Sequence, residues 1–290
     1  AGIWSITCND ESVFISHSGT HEVSVIDHKA MLEKFLNYPN KAVLDYDLTF
    51  LYGLRERIPL EGNGPRNMIL NGDKLIIPTY FADILNIMDI NTNEVTSVEL
   101  NPGREETAEN KGERYFNDAS HCFQNWQSCN GCHPGDARTD GMNWDLMNDG
   151  VGNSKNCKSM LFSHMTPPNM ISGIREHAER AVRAGFNFIQ FFEVSEEDAA
   201  CVDAYLKSLR PVPSPYLVNG ELSDLAKEGQ KVFEKLKCGE CHSGVYYTDM
   251  KYHRIGEDIE FEKGWDTPTL REVWRTAPYL FLSLIHISEP

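Results

Sequence analysis

Short runs in which apolar and polar side chains alternate fill the first hundred residues. Val23 and Val25 flank Ser24, and Leu85 and Ile87 flank Asn86; a period of two puts such residues on one face of a half-buried strand. The runs also repeat. Gly2-Ile-Trp, Ser12-Val-Phe14-Ile and Val23-Ser-Val-Ile-Asp27 align without a gap onto Gly64-Pro-Arg, Lys74-Leu75-Ile-Ile and Ile84-Leu-Asn-Ile-Met-Asp89, 62 residues later. Each copy predicts turn, strand, turn, strand and an Asp-led turn, with a long insert over roughly residues 37–63 stretching the spacing. Further on the period changes. Gly112-x-x-x-Phe116 and Gly229-x-x-x-Phe233 lie on stretches rich in Lys, Glu and apolar residues, which predict amphipathic helices. Pro211-Val-Pro-Ser-Pro215 reads as a stiff linker.

Composition narrows the function classes. The 290 residues hold 27 Lys+Arg against 43 Asp+Glu, a net charge of −16, and this acid excess repels phosphate backbones, so nucleic acid is not an expected partner. With 41% hydrophobic residues and a mean hydropathy of −0.42, the chain reads as soluble and globular, long enough for roughly two domains of about 150 residues. Its longest apolar run, near residues 279–287, is well short of the ~18–20 residues that span a bilayer. No charged-then-apolar leader opens the chain at Ala1. Eight cysteines are too few for a disulfide scaffold of this size, so their spacing matters more than their number.

Four of them form Cys129-Asn-Gly-Cys132-His133 and Cys238-Gly-Glu-Cys241-His242, both C-x-x-C-H, the attachment signature of c-type haem. Two thiols three positions apart on one turn can each form a thioether to a haem vinyl group, and the adjoining histidine then sits under the iron. A zinc site is the competing chemistry for one such pentapeptide, but the surroundings repeat with the motif. Cys129 and Cys238 are 109 residues apart, Thr139-Asp140 recurs as Thr248-Asp249, and Thr166-Pro-Pro168 parallels Thr276-Ala-Pro278. The pattern is an internal duplication. Cys8, Cys122, Cys157 and Cys201 carry no motif and are expected as buried free thiols, with a disulfide as the alternative that an oxidising compartment permits.

Around the second motif, Tyr247-Thr-Asp-Met-Lys-Tyr-His253-Arg-Ile-Gly256, Asp266-Thr-Pro-Thr-Leu-Arg271-Glu-Val and Thr276-Ala-Pro-Tyr279 resemble the carboxyl-terminal haem domain of bacterial di-haem cytochrome c peroxidases. That family includes relatives that oxidise protein tryptophans, and the resemblance covers roughly residues 106–281. It implies two covalently bound haem c groups in two mostly α-helical domains, a periplasmic setting, and often a calcium ion (Ca2+) between the domains. It also implies an electron-donor protein, a small cytochrome or cupredoxin, and one haem open to hydrogen peroxide. In the family a ligating Met commonly follows Thr-Ala-Pro-Tyr; here the residue is Leu280, which cannot ligate iron. The duplication places Met170 at the matching position of the first half, as candidate distal ligand or as a filler of a core gap. His164, six residues earlier, competes for that role or is a satisfied structural histidine. Leu280 leaves the second iron open unless Tyr279 ligates it or merely packs there. The family's acid/base stretch is replaced by Gly185-Phe-Asn-Phe-Ile-Gln190-Phe-Phe-Glu193. Glu179 and Glu193 remain as candidate acids, each with the alternative of a solvated helix face. His253 is a candidate contact to a haem propionate.

The strand-rich start resembles blades of a YVTN-type β-propeller, common in secreted and cell-surface proteins. Closure needs at least about four blades and two are present, so the chain is expected to begin in mid-domain. The expected fold class is therefore multidomain: a partial, all-β propeller over 1–103, then two cytochrome c-like haem domains in tandem, 104–217 and 218–281. The last nine residues, 282–290, read as the translation of a transposon-based sequencing adapter and are expected to be foreign, His286 included. The expected function is a periplasmic or cell-surface di-haem oxidoreductase that reduces peroxide or oxidises a substrate with it. The alternative is a non-catalytic di-haem electron carrier docked to partners through the propeller, and a third reading makes the propeller itself the functional, ligand-binding part.

Overall fold

The computed structural model describes residues 2–146, 152, 154–255 and 263–280, so Gly256 and the adapter-like tail lie outside the described residues. The chain packs as two compact units: Ala1–Glu106 with Phe116–Ser128, and Thr107–Tyr115 with Cys129–Pro290.

In the first unit, β1 (Ile3–Cys8), β2 (Ser12–His17), β3 (Glu22–Asp27) and β4 (Arg55–Pro59) form one antiparallel meander. A second comprises β5 (Ile69–Asn71), β6 (Lys74–Thr79), β7 (Ile84–Asp89) and β8 (Val95–Glu99). The 62-residue repeat is visible atom by atom. The carbonyls of Gly2 and Gly64 accept from Ser18 N–H at 2.7 Å and Tyr80 N–H at 2.9 Å. Gly64 has φ +72°, and a Cβ there would stand 2.4 Å from the Phe81 ring, so only glycine fits. Phe14, Val23 and Ile58 from one meander and Met68, Leu75, Ile77 and Met88 from the other share one buried core.

The insert differs from expectation. It runs from α1 (His28–Leu36) to about residue 54, and β4 lies inside the span predicted as insert. Its base is clear from the hydrogen bonds. Asp27 N–H donates to Leu54 O at 3.1 Å, whereas its counterpart Asp89 N–H donates to Glu94 O at 2.9 Å across a tight turn. Both aspartates cap the segment that succeeds them: Asp27 Oδ1 accepts from Ala30 N–H at the start of α1, and Asp89 Oδ1 accepts from Asn91 N–H.

His17 on β2 is half-buried, with Nε2 2.8 Å from Ser24 Oγ, and burial foremost holds its pKa down at about 4 instead of 6.5. The unfolded chain therefore binds the proton that the folded one refuses. Stability from this site is complete above about pH 6.5 and is lost as pH falls towards 4. Urea midpoints at pH 7 and pH 4.5 should differ less in His17→Gln than in the parent.

The second unit corrects the expectation of two mostly helical domains. Its two halves belong to one compact unit, and helix is sparse outside α2 (Ala108–Asn117), α5 (Ala178–Gly185), α6 (Glu196–Ser208) and α7 (Asp224–Lys235). Between them run single turns, α3 (Cys129–Cys132) and α4 (Pro134–Ala137), and two-residue strand pairs: β9 (Asn143–Trp144) with β10 (Lys155–Asn156), and β11 (Tyr252–His253) with β12 (Trp265–Asp266). Loops rich in Gly, Asp and Thr are closed by side-chain-to-backbone hydrogen bonds, which compete with helix.

The duplication itself holds in three dimensions. Thr139 Oγ1 donates to Cys157 O and Thr248 Oγ1 to Thr267 O, both at 2.6 Å. Asp140 accepts from the Trp144 indole at 2.8 Å, and Asp249 lies 2.8 Å from His253 Nε2. Phe162 and Glu272, and Met170 and Leu280, occupy matching left-handed positions.

Candidate haem-attachment site

One helical turn puts Cys129 and Cys132 on the same side of α3, and His133 N–H donates to Cys129 O at 2.9 Å. The His133 ring is then aimed by a second contact: Nδ1 lies 3.2 Å from Arg138 O. A carbonyl can only accept, so the proton sits on Nδ1 and Nε2 keeps its lone pair for a metal. Burial lowers the His133 pKa, which keeps the ring neutral. The second half repeats this. Cys238 opens a short 3-10 turn, His242 N–H donates to Cys238 O at 2.9 Å, and His242 Nδ1 lies 3.2 Å from Tyr247 O. Two cysteines on a turn beside an imidazole whose Nδ1 is held by a carbonyl is the donor set that covalent haem requires, and it occurs twice; at His133 the Cys157 Sγ also lies 3.9 Å from Nε2.

Cys157, which has no motif context, also belongs here. Its Sγ donates to Cys132 O at 3.1 Å and lies 3.5 Å from His133 Nδ1. The signal in the sequence was its alignment with Thr267 across the duplication. Burial pushes its thiol up to about 12, so it stays protonated and unreactive. Alkylation at pH 8 should label the exposed Cys8 within minutes and leave Cys157 unlabelled until the chain unfolds; peptide mass spectrometry reads the difference.

The other predicted residues take up different roles. Met170 is half-buried, while its counterpart Leu280 is 57% exposed. His164 Nε2 is committed to Asp203 at 3.0 Å. The Tyr279 hydroxyl donates to Val273 O. Glu179 pairs on the surface with Lys207 at 3.0 Å, and Glu193 is exposed, so neither is brought to the motif histidines as an acid. Among the described residues, Cys241, Asp249 and His253 place ligand atoms within 4.8 Å of one another. A thiol and an imidazole are not calcium's all-oxygen ligands. The first half puts Trp144, which cannot bind a metal, where the second has His253. Holding the Asp140 and Asp249 loops is therefore the role the two positions share.

No family model matches the chain. It is similar to a curated protein, the gamma subunit of hydrazine synthase from Kuenenia stuttgartiensis, at 28% identity over 58% of this chain and 64% of that protein. The chain thus spans a little under two thirds of this relative's length. It also resembles a structure of Kuenenia stuttgartiensis hydrazine synthase pressurised with 20 bar xenon, with a TM-score of 0.54 and 26% identity, covering 63% of this chain and 76% of the matched one. These findings overturn the expected membership of the di-haem cytochrome c peroxidases, and with it the peroxidase function and the tandem cytochrome c domains. The physical reason lies in the motifs that carried the resemblance. Thr139 and Thr248 close loops, and the candidate acids that peroxide chemistry would need lie on the surface.

Proposed function

We propose that this chain is part of a haem-carrying, electron-transferring subunit of a hydrazine-synthase-like complex. The observation that carries the reading is the duplicated presentation of an imidazole Nε2 beside two cysteines on one turn; the similarity to a hydrazine synthase gamma subunit supplies the setting. Cys129 and Cys132 would hold one haem and Cys238 and Cys241 the other, with His133 and His242 as ligands on one side of each iron. Met170 or His164 would supply a further ligand to the first iron. When bound, the groups supply one-electron relay. The chain's own part is to fix the tautomer of each imidazole and, at His133, to exclude water by burial. Its partners would be the protein subunits of the same complex, and its address periplasmic or at the cell surface. No helix among the described residues is long and apolar enough to cross a membrane.

The test is to produce the chain together with haem-attachment machinery and count haem and metal per chain. Two covalent haems in the parent, and one after Cys129→Ala with Cys132→Ala, support the reading. Zinc in place of haem sinks it. Co-elution with the other subunits of such a complex tests the setting separately.

A further inference from the structure

The carbonyl that aims His133 belongs to Arg138, and the Arg138 side chain is held from the other half of the unit. Its Nε and Nη2 donate to the two carboxylate oxygens of Glu272 at 2.8 and 2.9 Å, a bidentate pair whose side chains are 4% and 2% exposed. Nη2 also donates to Arg210 O at 3.0 Å, and Nη1 to Asp136 O. The guanidinium therefore clamps the backbone of residues 136–138 from inside the fold. Glu272 is in turn fixed by Val212 N–H and by Arg275 Nε at 2.6 Å. The duplication shows that this is special to one side. The counterpart of Arg138 is Tyr247 and that of Glu272 is Phe162, so no ion pair can form between them; Tyr247 instead carries the Arg271 guanidinium 5.1 Å from its ring centroid, and Phe162 packs on the neighbouring Tyr246 at 5.0 Å. His242 has the same carbonyl contact without an ionic clamp behind it.

We propose that Glu272 is a positioning residue for the first proximal histidine: by gripping Arg138, whose carbonyl holds His133 Nδ1–H, the second half of the unit sets the donor strength of the first half's imidazole. This rests on the proposed haem-carrying role. A histidine whose Nδ1–H is firmly held gives more electron density to iron, stabilises the ferric state and lowers the potential. Without the Glu272 charge the buried guanidinium loses its counter-ion, the clamp loosens, and the carbonyl moves off the ring.

The test uses the fully haem-loaded chain and Glu272→Gln. Spectroelectrochemical titration should show one of the two midpoints shifted upward and the other in place. Proton NMR should show the His133 Nδ1–H exchanging with solvent at least ~10-fold faster, which loss of a distant charge alone would not cause. Glu272→Asp, which keeps the charge, should recover most of both effects, and Glu196→Gln, which removes an exposed carboxylate paired with Arg183 instead, should show neither. If Glu272→Gln fails to fold, Arg138→Lys drops the second contact and should shift the same midpoint upward. Two haems per chain with unmoved midpoints and unchanged exchange would overturn the positioning role, as would equal shifts of both midpoints. A parent chain without covalent haem would overturn the haem reading and this inference with it.

Discussion

Alanine at Gly112 is expected to destabilise the second unit by about 2–3 kcal/mol, the upper range for forcing an extra carbon into a packed interior. Gly112 lies on α2 where that helix crosses α6, and a Cβ there would stand 1.9 Å from Cys201 O and 2.9 Å from Tyr205 Cβ. The obstacle is backbone, so no rotamer change relieves it and the helices must separate. The loss comes despite the ~1 kcal/mol by which alanine outperforms glycine inside a helix. Gly229 on α7 provides the contrast. It is the duplicated position, and nothing lies within 4 Å of its Cβ site. Gly229→Ala should therefore keep that propensity gain, up to ~1 kcal/mol. Urea melts of the two variants, read as midpoint shifts at constant slope, should move in opposite directions. Equal shifts would mean that α2 and α6 do not cross so closely.

Gly112 and Gly229 also show what a duplication can and cannot tell a reader of sequence. Both helices were legible from the Gly-x-x-x-Phe pattern, but the sequence does not say that only one is crossed by a partner among the described residues. The β meanders were legible because a period of two and a 62-residue offset agree. The insert was misplaced because β4, Arg-Glu-Arg-Ile-Pro, buries only Ile58; an edge strand carrying charges on its open side lacks the alternation that marks a strand. The C-x-x-C-H turns were legible because two cysteines and a histidine at fixed spacing recur with their surroundings 109 residues apart. The residues that aim the histidines were not, since a carbonyl donates no side-chain signal and Glu272 reaches Arg138 across 134 positions of chain. The family was misjudged for a related reason. Loop-closing threonines and C-x-x-C-H turns report a scaffold, whereas a reaction is decided by acids and open ligand positions, where this sequence departs from the peroxidases.

Asp203→Ala should destabilise the second unit by about 3–5 kcal/mol, because it breaks a buried ionic cluster from one side. Asp203 on α6 is 4% exposed. Its carboxylate accepts from Arg183 on α5 and lies 3.0 Å from His164 Nε2 in the turn at Ser163–Met165. One side chain thus ties α6 to α5 and to the segment that leads into Met170. Removing it leaves a guanidinium without its buried counter-ion and a His164 side chain only 2% exposed without its partner. Asp203→Asn keeps the shape and one acceptor but not the charge, and should cost about 1–3 kcal/mol. Glu196→Gln removes the other, 80% exposed, carboxylate on Arg183 and should leave the urea midpoint close to that of the parent, as solvated pairs contribute little. Asp203→Ala also decides between the two distal candidates in the haem-loaded chain. Asp203 holds His164 Nε2 at 3.0 Å, which would withhold that imidazole from an iron. If Met170 is the ligand, Asp203→Ala frees an imidazole that competes with it, and a second low-spin haem species should appear in the electron paramagnetic resonance spectrum. If His164 already ligates the iron after leaving Asp203, the spectrum should stay that of the parent while stability still falls.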